Sequence, residues 1–168
     1  MINKRIRCEA DRLFRRFHTR DPFRICEGLG ICIFPLSGAK TLKGMYRIVK
    51  RNRYLFLSDR LDPAYRRIVC AHELGHDRLH ADMARETPLR EFTICSTASR
   101  KEYEANLFAA ELLLPDEAIL PLVTEGASLS EIAGRLATDK NLVAIKLEAM
   151  RPYMQDWHST DFDSRFLR

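Results

Sequence analysis

The chain has 168 residues, 46% of them hydrophobic, with 28 Lys/Arg against 23 Asp/Glu and a net charge of +5. That is enough apolar material for one domain with a core of its own, and it excludes a disordered or low-complexity protein. No apolar run approaches the length of a membrane span, and Met1-Ile2-Asn3-Lys4 leads into no signal-peptide core, so a cytoplasmic protein with no membrane partner is expected.

The net charge hides an asymmetry. Residues 1–60 hold fifteen Lys/Arg and five Asp/Glu, and the remainder thirteen and eighteen, so a +10 third precedes a −5 remainder. A basic third of that kind can steer an acidic protein partner, touch nucleic acid, or simply be a solvated face. The five cysteines (Cys8, Cys26, Cys32, Cys70, Cys95) are odd in number and form no C-x-x-C pair. Reduced and mostly buried thiols are therefore expected.

In chain order, Ile6, Ala10, Leu13, Phe14 and Phe17 recur among arginines and predict an amphipathic helix over residues 2–18. Asp21-Pro22 opens a second short helix that Gly28-Leu29-Gly30 ends. Three strands follow, at Ile31 to Pro35, Met45 to Val49 and Tyr54 to Leu57, the last two joined as a hairpin around Lys50-Arg51-Asn52-Arg53. A strand in this place can hold an extended peptide by backbone pairing, or simply be core.

Asp62-Pro63 then reads as an N-cap with proline at the first helical position. Tyr65, Ile68, Val69, Leu74 and Leu79 continue at helical spacing, so a helix is predicted from Pro63 to about Ala81. It carries Cys70-Ala71-His72-Glu73-Leu74-Gly75-His76, an H-E-x-x-H sequence. Residues four apart share a helix face, so His72 and His76 can aim two imidazoles at one Zn2+ ion. Glu73 is then placed to move a proton at the metal's open position as a general base. Gly75 is costly in a helix by about 1 kcal/mol, and close approach of another backbone or of a substrate would explain it. His80 does not stand at a third-ligand spacing and is assigned to packing or to holding a ligand histidine.

Beyond an irregular stretch with a strand at Phe92 to Cys95, Glu102 to Pro115 forms a second helical run stopped by proline. Glu102 and Asn106 share a face, so the carboxylate can complete the metal site while the amide fixes a ligand ring. A capping box from Ser99 to Glu102 competes for the same carboxylate; a cap at Thr97 would leave it free. The ligand assignment is preferred, and Glu104 is expected to point elsewhere. Past Pro115, a short helix is followed by a helix pair, Leu129 to Ala137 and Leu142 to Met150, with helix-turn-helix rhythm. Its second helix has only Lys140 and Lys146 as cations, thin for gripping phosphates, so no nucleic-acid partner is expected and a helical lid is the preferred assignment.

Two segments together resemble the ImmA/IrrE-type metallopeptidases: A-H-E-L-G-H-x-x-L-H from Ala71 to His80, and E-Y-E-A-N-L-F-A-A-E-L-L-L-P from Glu102 to Pro115. Gly44-Met45-Tyr46 and Tyr54 to Ser58 are also similar to that family, and the likeness covers about Leu13 to Pro115. The resemblance implies an α+β, mainly helical, zincin-like domain over residues 1–115, with a small three-stranded sheet before the motif helix. Residues 116–168 would be a helical extension packed on it. It implies zinc on His72, His76 and Glu102, with Glu73 as general base. Asn106 and His80 would support the ligands. Tyr46, Tyr103, Tyr153 and His158 are candidate donors to the oxyanion, Tyr46 being carried forward. The implied function is a zinc endopeptidase that cleaves a helix-turn-helix repressor of a mobile element, phage or stress response. The alternatives are a zinc module that binds a repressor without cutting it, a DNA-binding regulator, and a toxin-like peptidase.

Overall fold

The computed structural model describes residues 2–38, 40–82, 89–91 and 99–153. The first helix, α1 (Ile2–Phe17), buries Ile6, Ala10 and Leu13, which recur at one-turn steps. Phe14 lies off that stripe. It is partly exposed, with the Arg20 guanidinium 4.4 Å above its ring, so the apolar face is narrower than the sequence suggests. Helix α2 (Pro22–Gly28) starts where Asp21 accepts a hydrogen bond from the Phe23 amide.

Three strands follow: β1 (Ile31–Leu36), β2 (Gly44–Val49) and β3 (Asn52–Ser58). The β2–β3 turn is shorter than the four residues expected. Val49 pairs with Asn52, leaving only Lys50 and Arg51 in the turn, both with positive φ (48° and 70°). A fourth strand, β4 (Leu89–Glu91), comes after the motif helix and adds to β2, giving the order β1-β3-β2-β4. The three-stranded sheet expected before the motif helix is thus present, with one short strand more. The strand predicted at Phe92 to Cys95 falls outside the described residues. β1 runs parallel to β3, and β2 is antiparallel to both its neighbours.

Helix α3 (Pro63–Leu79) begins at Asp62, whose carboxylate accepts from the Tyr65 amide. Ten consecutive residues, Ile68 to Asp77, are buried. This helix has no solvated face there because α4 (Arg100–Leu113), α2 and the sheet all pack on it. Helices α5 (Asp116–Thr124), α6 (Leu129–Arg135) and α7 (Lys140–Met150) complete the mainly helical α+β fold. No helix among the described residues is long and apolar enough to cross a membrane. The cysteine expectation held only in part. Cys26 and Cys70 are buried, but Cys8 and Cys32 are exposed, and all four are free thiols.

Helix α7 packs against α4, and its Lys146 is buried. The ammonium lies 2.6 Å from Glu111 and 2.7 Å from Asp116, and Asp116 also meets Arg7 of α1. A cation in this position is part of the core and unavailable to a phosphate backbone. Lys146→Met should cost about 3–5 kcal/mol, because Glu111 would keep its burial and lose its counter-charge. Urea unfolding followed by circular dichroism measures it; a change under about 1 kcal/mol would mean Glu111 finds other compensation.

Candidate metal centre

The crossing of α3 with α4 brings the predicted ligands together. Gly75 is the point of closest approach: a Cβ there would lie 3.2 Å from Ala105 Cα and 3.1 Å from the Phe108 ring. Its lack of a side chain is therefore explained by a neighbouring helix backbone. One turn before Ala105, Glu102 leans toward α3. Its carboxylate oxygens lie 3.2 Å from His72 Nε2 and 3.5 Å from His76 Nε2. The two Nε2 atoms are themselves 3.1 Å apart, and one donor atom from each of the three residues falls within 4.8 Å of the others.

Ser99 caps α4 by accepting from the Glu102 amide, but the Glu102 side chain does not complete a capping box. The competition foreseen between cap and cluster is resolved by division: the backbone of Glu102 takes the cap and its carboxylate goes to the histidines. Thr97 lies outside the described residues.

Hydrogen bonds behind the rings decide which nitrogens face the cluster. His72 Nδ1–H donates to Asn106 Oδ1 at 2.8 Å, which leaves the Nε2 lone pair forward. His76 Nδ1 meets His80 Nδ1 at 3.0 Å, and His80 Nε2 meets Glu104 Oε2 at 3.1 Å. Glu104 can only accept, so His80 carries its proton on Nε2. His80 Nδ1 then accepts from His76 Nδ1–H, and the His76 lone pair also points forward. Asn106 and His80 thus sit behind the two rings, at their Nδ1 atoms. Glu104 points away from the cluster, toward His80 and Arg100.

Two imidazole lone pairs and a carboxylate facing one another repel unless a cation joins them. Glu102 Oε2 is buried without a hydrogen bond. The donor set of two nitrogens and one oxygen suits a divalent transition metal, so these residues fit a metal ion. Burial lowers the His76 pKa to about 4, keeping its ring in the neutral, ligating form.

Comparison with known proteins bears on what such a cluster belongs to. The family model Peptidase M78, IrrE N-terminal-like domain, matches residues 26–148. The chain belongs to this family. It is also 33% identical over 128 residues to an uncharacterized immunity region protein of Bacillus phage phi105, covering 76% of this chain and 80% of the relative.

Within this peptidase family frame, the remaining predicted residues can be placed. Glu73 is fully buried on α3 beneath β2. A Cβ on Gly44 would stand 2.5 Å from Glu73 Oε1, so the strand approaches the carboxylate as closely as a glycine permits. Tyr46 is buried and its hydroxyl donates to Asp77 Oδ1 at 2.6 Å. Burial and that bond push the phenol well above its ordinary pKa, and its proton is committed to Asp77 rather than to an oxyanion. Tyr103 is directed to Asn3 and Glu148; the side chain of Tyr153 and all of His158 lie outside the described residues. Sequence reasoning missed Asp77. Its place directly after His76 was its only signal in the sequence.

The His76 shift has a consequence for stability. Its folded pKa lies below the unfolded value, so between about 6.5 and 4 the unfolded chain binds the proton that the buried ring refuses. Metal-free protein should lose stability as pH falls through that window, and His76→Gln should flatten the profile. Thermal melts across the window after chelation check both.

Proposed function

We propose that the protein is a zinc-dependent endopeptidase, and that its substrate is a helix-turn-helix repressor of a phage, mobile element or stress response. One observation carries the peptidase reading: His72, His76 and Glu102 present forward-facing donor atoms within 4.8 Å of one another, next to a buried Glu73. A peptidase family frame and a relative named for a phage immunity region support the direction of the substrate assignment.

In this reading His72, His76 and Glu102 hold the zinc ion. Bound there, zinc supplies Lewis acidity toward a water and a peptide carbonyl. Asn106 and His80 fix the ligand rings by holding their Nδ1 protons. The Glu73 carboxylate takes the proton of the attacking water and passes it to the departing amide nitrogen. Burial of Glu73 keeps bulk water from competing for that proton. Gly44 sets how far the carboxylate can move, because any side chain at that position would occupy its place.

The test is incubation of the purified protein with the repressor of its own genetic element, with zinc, with chelator, and as Glu73→Gln. Fragments should form only in the zinc-loaded native chain. Glu73→Gln should bind zinc as the native protein does and lose about 10²–10⁴ in rate. Intact repressor co-eluting with the zinc-loaded native protein, without fragments, would replace the peptidase by a binding module.

Two substitutions separate the ligands from their neighbours. Glu102→Ala should lower zinc occupancy measured by metal analysis, whereas Glu104→Ala should leave most of it. Gly44→Ala should keep zinc and slow cleavage, by displacing Glu73 rather than a ligand. If Gly44→Ala cleaves at the native rate, the close packing of strand and carboxylate has no part in the chemistry.

A further inference from the structure

A concave feature lies at the C-terminal end of α3, just past His76. A cleft of about 580 Å³ opens between the β2–β3 turn and the α3 C-terminus, and Lys50, Arg51, Arg53 and Arg78 line it. Among the described residues its one lining anion is Asp77, which is buried and already shared. Asp77 accepts from Tyr46, lies 3.2 Å from Arg53 Nη1, and lies 3.4 Å from Arg78 Nη1. Arg53 also donates to the Leu29 carbonyl, and Arg78 pairs with Glu9 at 2.8 Å. Both guanidiniums are therefore held in place from below. Among the described residues Lys50 and Arg51 have no ion-pair partner, and the cleft's described lining carries four cations against one anion.

The backbone adds an independent observation. Lys50 and Arg51 occupy both central positions of a two-residue hairpin turn, with φ of 48° and 70°. Such turns favour Asn-Gly, because a Cβ is disfavoured at positive φ. Long basic side chains at both positions cost stability there, and strain held at an exposed turn points to use rather than to packing.

The arrangement also narrows the ligand. A nucleic acid backbone needs cations spread along a path, whereas these four converge on one hollow. The volume is that of a small-molecule site, and the Arg51 guanidinium and Lys50 ammonium, neither ion-paired among the described residues, suit the oxygens of a phosphate group over the positive floor of Arg53 and Arg78. Ile48 gives one apolar wall. We propose that this cleft binds a small phosphate-bearing molecule, through Lys50, Arg51, Arg53 and Arg78. None of His72, His76 and Glu102 lines this cleft, and the proposal does not depend on peptidase activity.

The experiment titrates the full chain with inorganic phosphate and with adenosine monophosphate at constant ionic strength, following amide and Arg side-chain NMR shifts. A glutamate-rich peptide serves as the third arm. Saturable shifts at Lys50, Arg51, Arg53 and Arg78, with Kd at or below about 1 mM for a phosphate probe, support the site. Stronger binding of the nucleotide than of phosphate would add the Ile48 wall to the recognition; equal binding would confine recognition to the phosphate. Lys50→Asn/Arg51→Gly installs the preferred turn, so its thermal midpoint should match or exceed the native value while affinity falls tenfold or more. Unchanged affinity in that variant, no saturation by either phosphate probe, or tighter binding of the acidic peptide would each overturn the proposal.

Discussion

Two lone pairs and a carboxylate pressed into one buried space form an arrangement that protein alone cannot make favourable. Solvent is nearly absent around His72 and His76, so their mutual repulsion with Glu102 is weakly screened. A cation at the meeting point turns each repulsion into an attraction, and much of the surrounding structure holds the three donors in that poised state. The distance between α3 and α4 is the controlling variable. Gly75 sets it, since a methyl group there would press into Ala105 and Phe108 and carry Glu102 away with its helix.

The polar groups behind the cluster differ in what they contribute. Asn106 is buried, and its bond to His72 is made where an alternative partner would be hard to find. The chain from His76 through His80 to Glu104 runs outward and ends on Arg100, whose side chain is 75% exposed. That last ion pair sits in water and adds little; its use is to bias Glu104 toward the carboxylate form that fixes the His80 tautomer. Burial would raise the Glu104 pKa, but His80 and Arg100 lower it overall. Protonation states at the cluster are thus set by acceptors one bond removed from it.

What could be read from the amino-acid order follows from which interactions are local. Helical spacing alone puts His72 and His76 on one face and Glu102 with Asn106 on another, because a helix's geometry depends only on neighbours in the chain. Asp62 and Asp21 announced their helices for the same reason. The Gly75 expectation also survived, since a glycine inside a helix asks for a nearby backbone. The failures are non-local. Three residues suffice for β4 because β2 supplies the template, and nothing in Leu89-Arg90-Glu91 itself marks a strand. Lys50-Arg51 carries none of the glycine or asparagine that signals a tight turn, so the sequence suggests a longer hairpin loop than the two residues that form it. Tyr46 has the chemistry of an oxyanion donor, but its partner is decided by Asp77, thirty-one residues away.

Lys146 illustrates the same limit in the C-terminal helices. On the sequence it counts as one of two cations on a helix with the rhythm of a DNA reader, and the low count already argued against that use. In the fold it is the counter-charge for Glu111 of α4 and Asp116 of α5. The buried Glu111 and half-buried Asp116 need a cation between them, and a lysine on α7 can deliver one only if α7 lies directly on α4. The helix pair is therefore tied to the helix that carries Glu102 and Asn106. The family match runs past Pro115 to residue 148, through the elements that make this contact. Helix α4 is held between two electrostatic demands: its first turns answer the histidines of α3, and its last turns answer the lysine of α7. A shift of α4 along its axis that relieved one would strain the other, which is why the position of Glu102 depends on residues well beyond the motif helix.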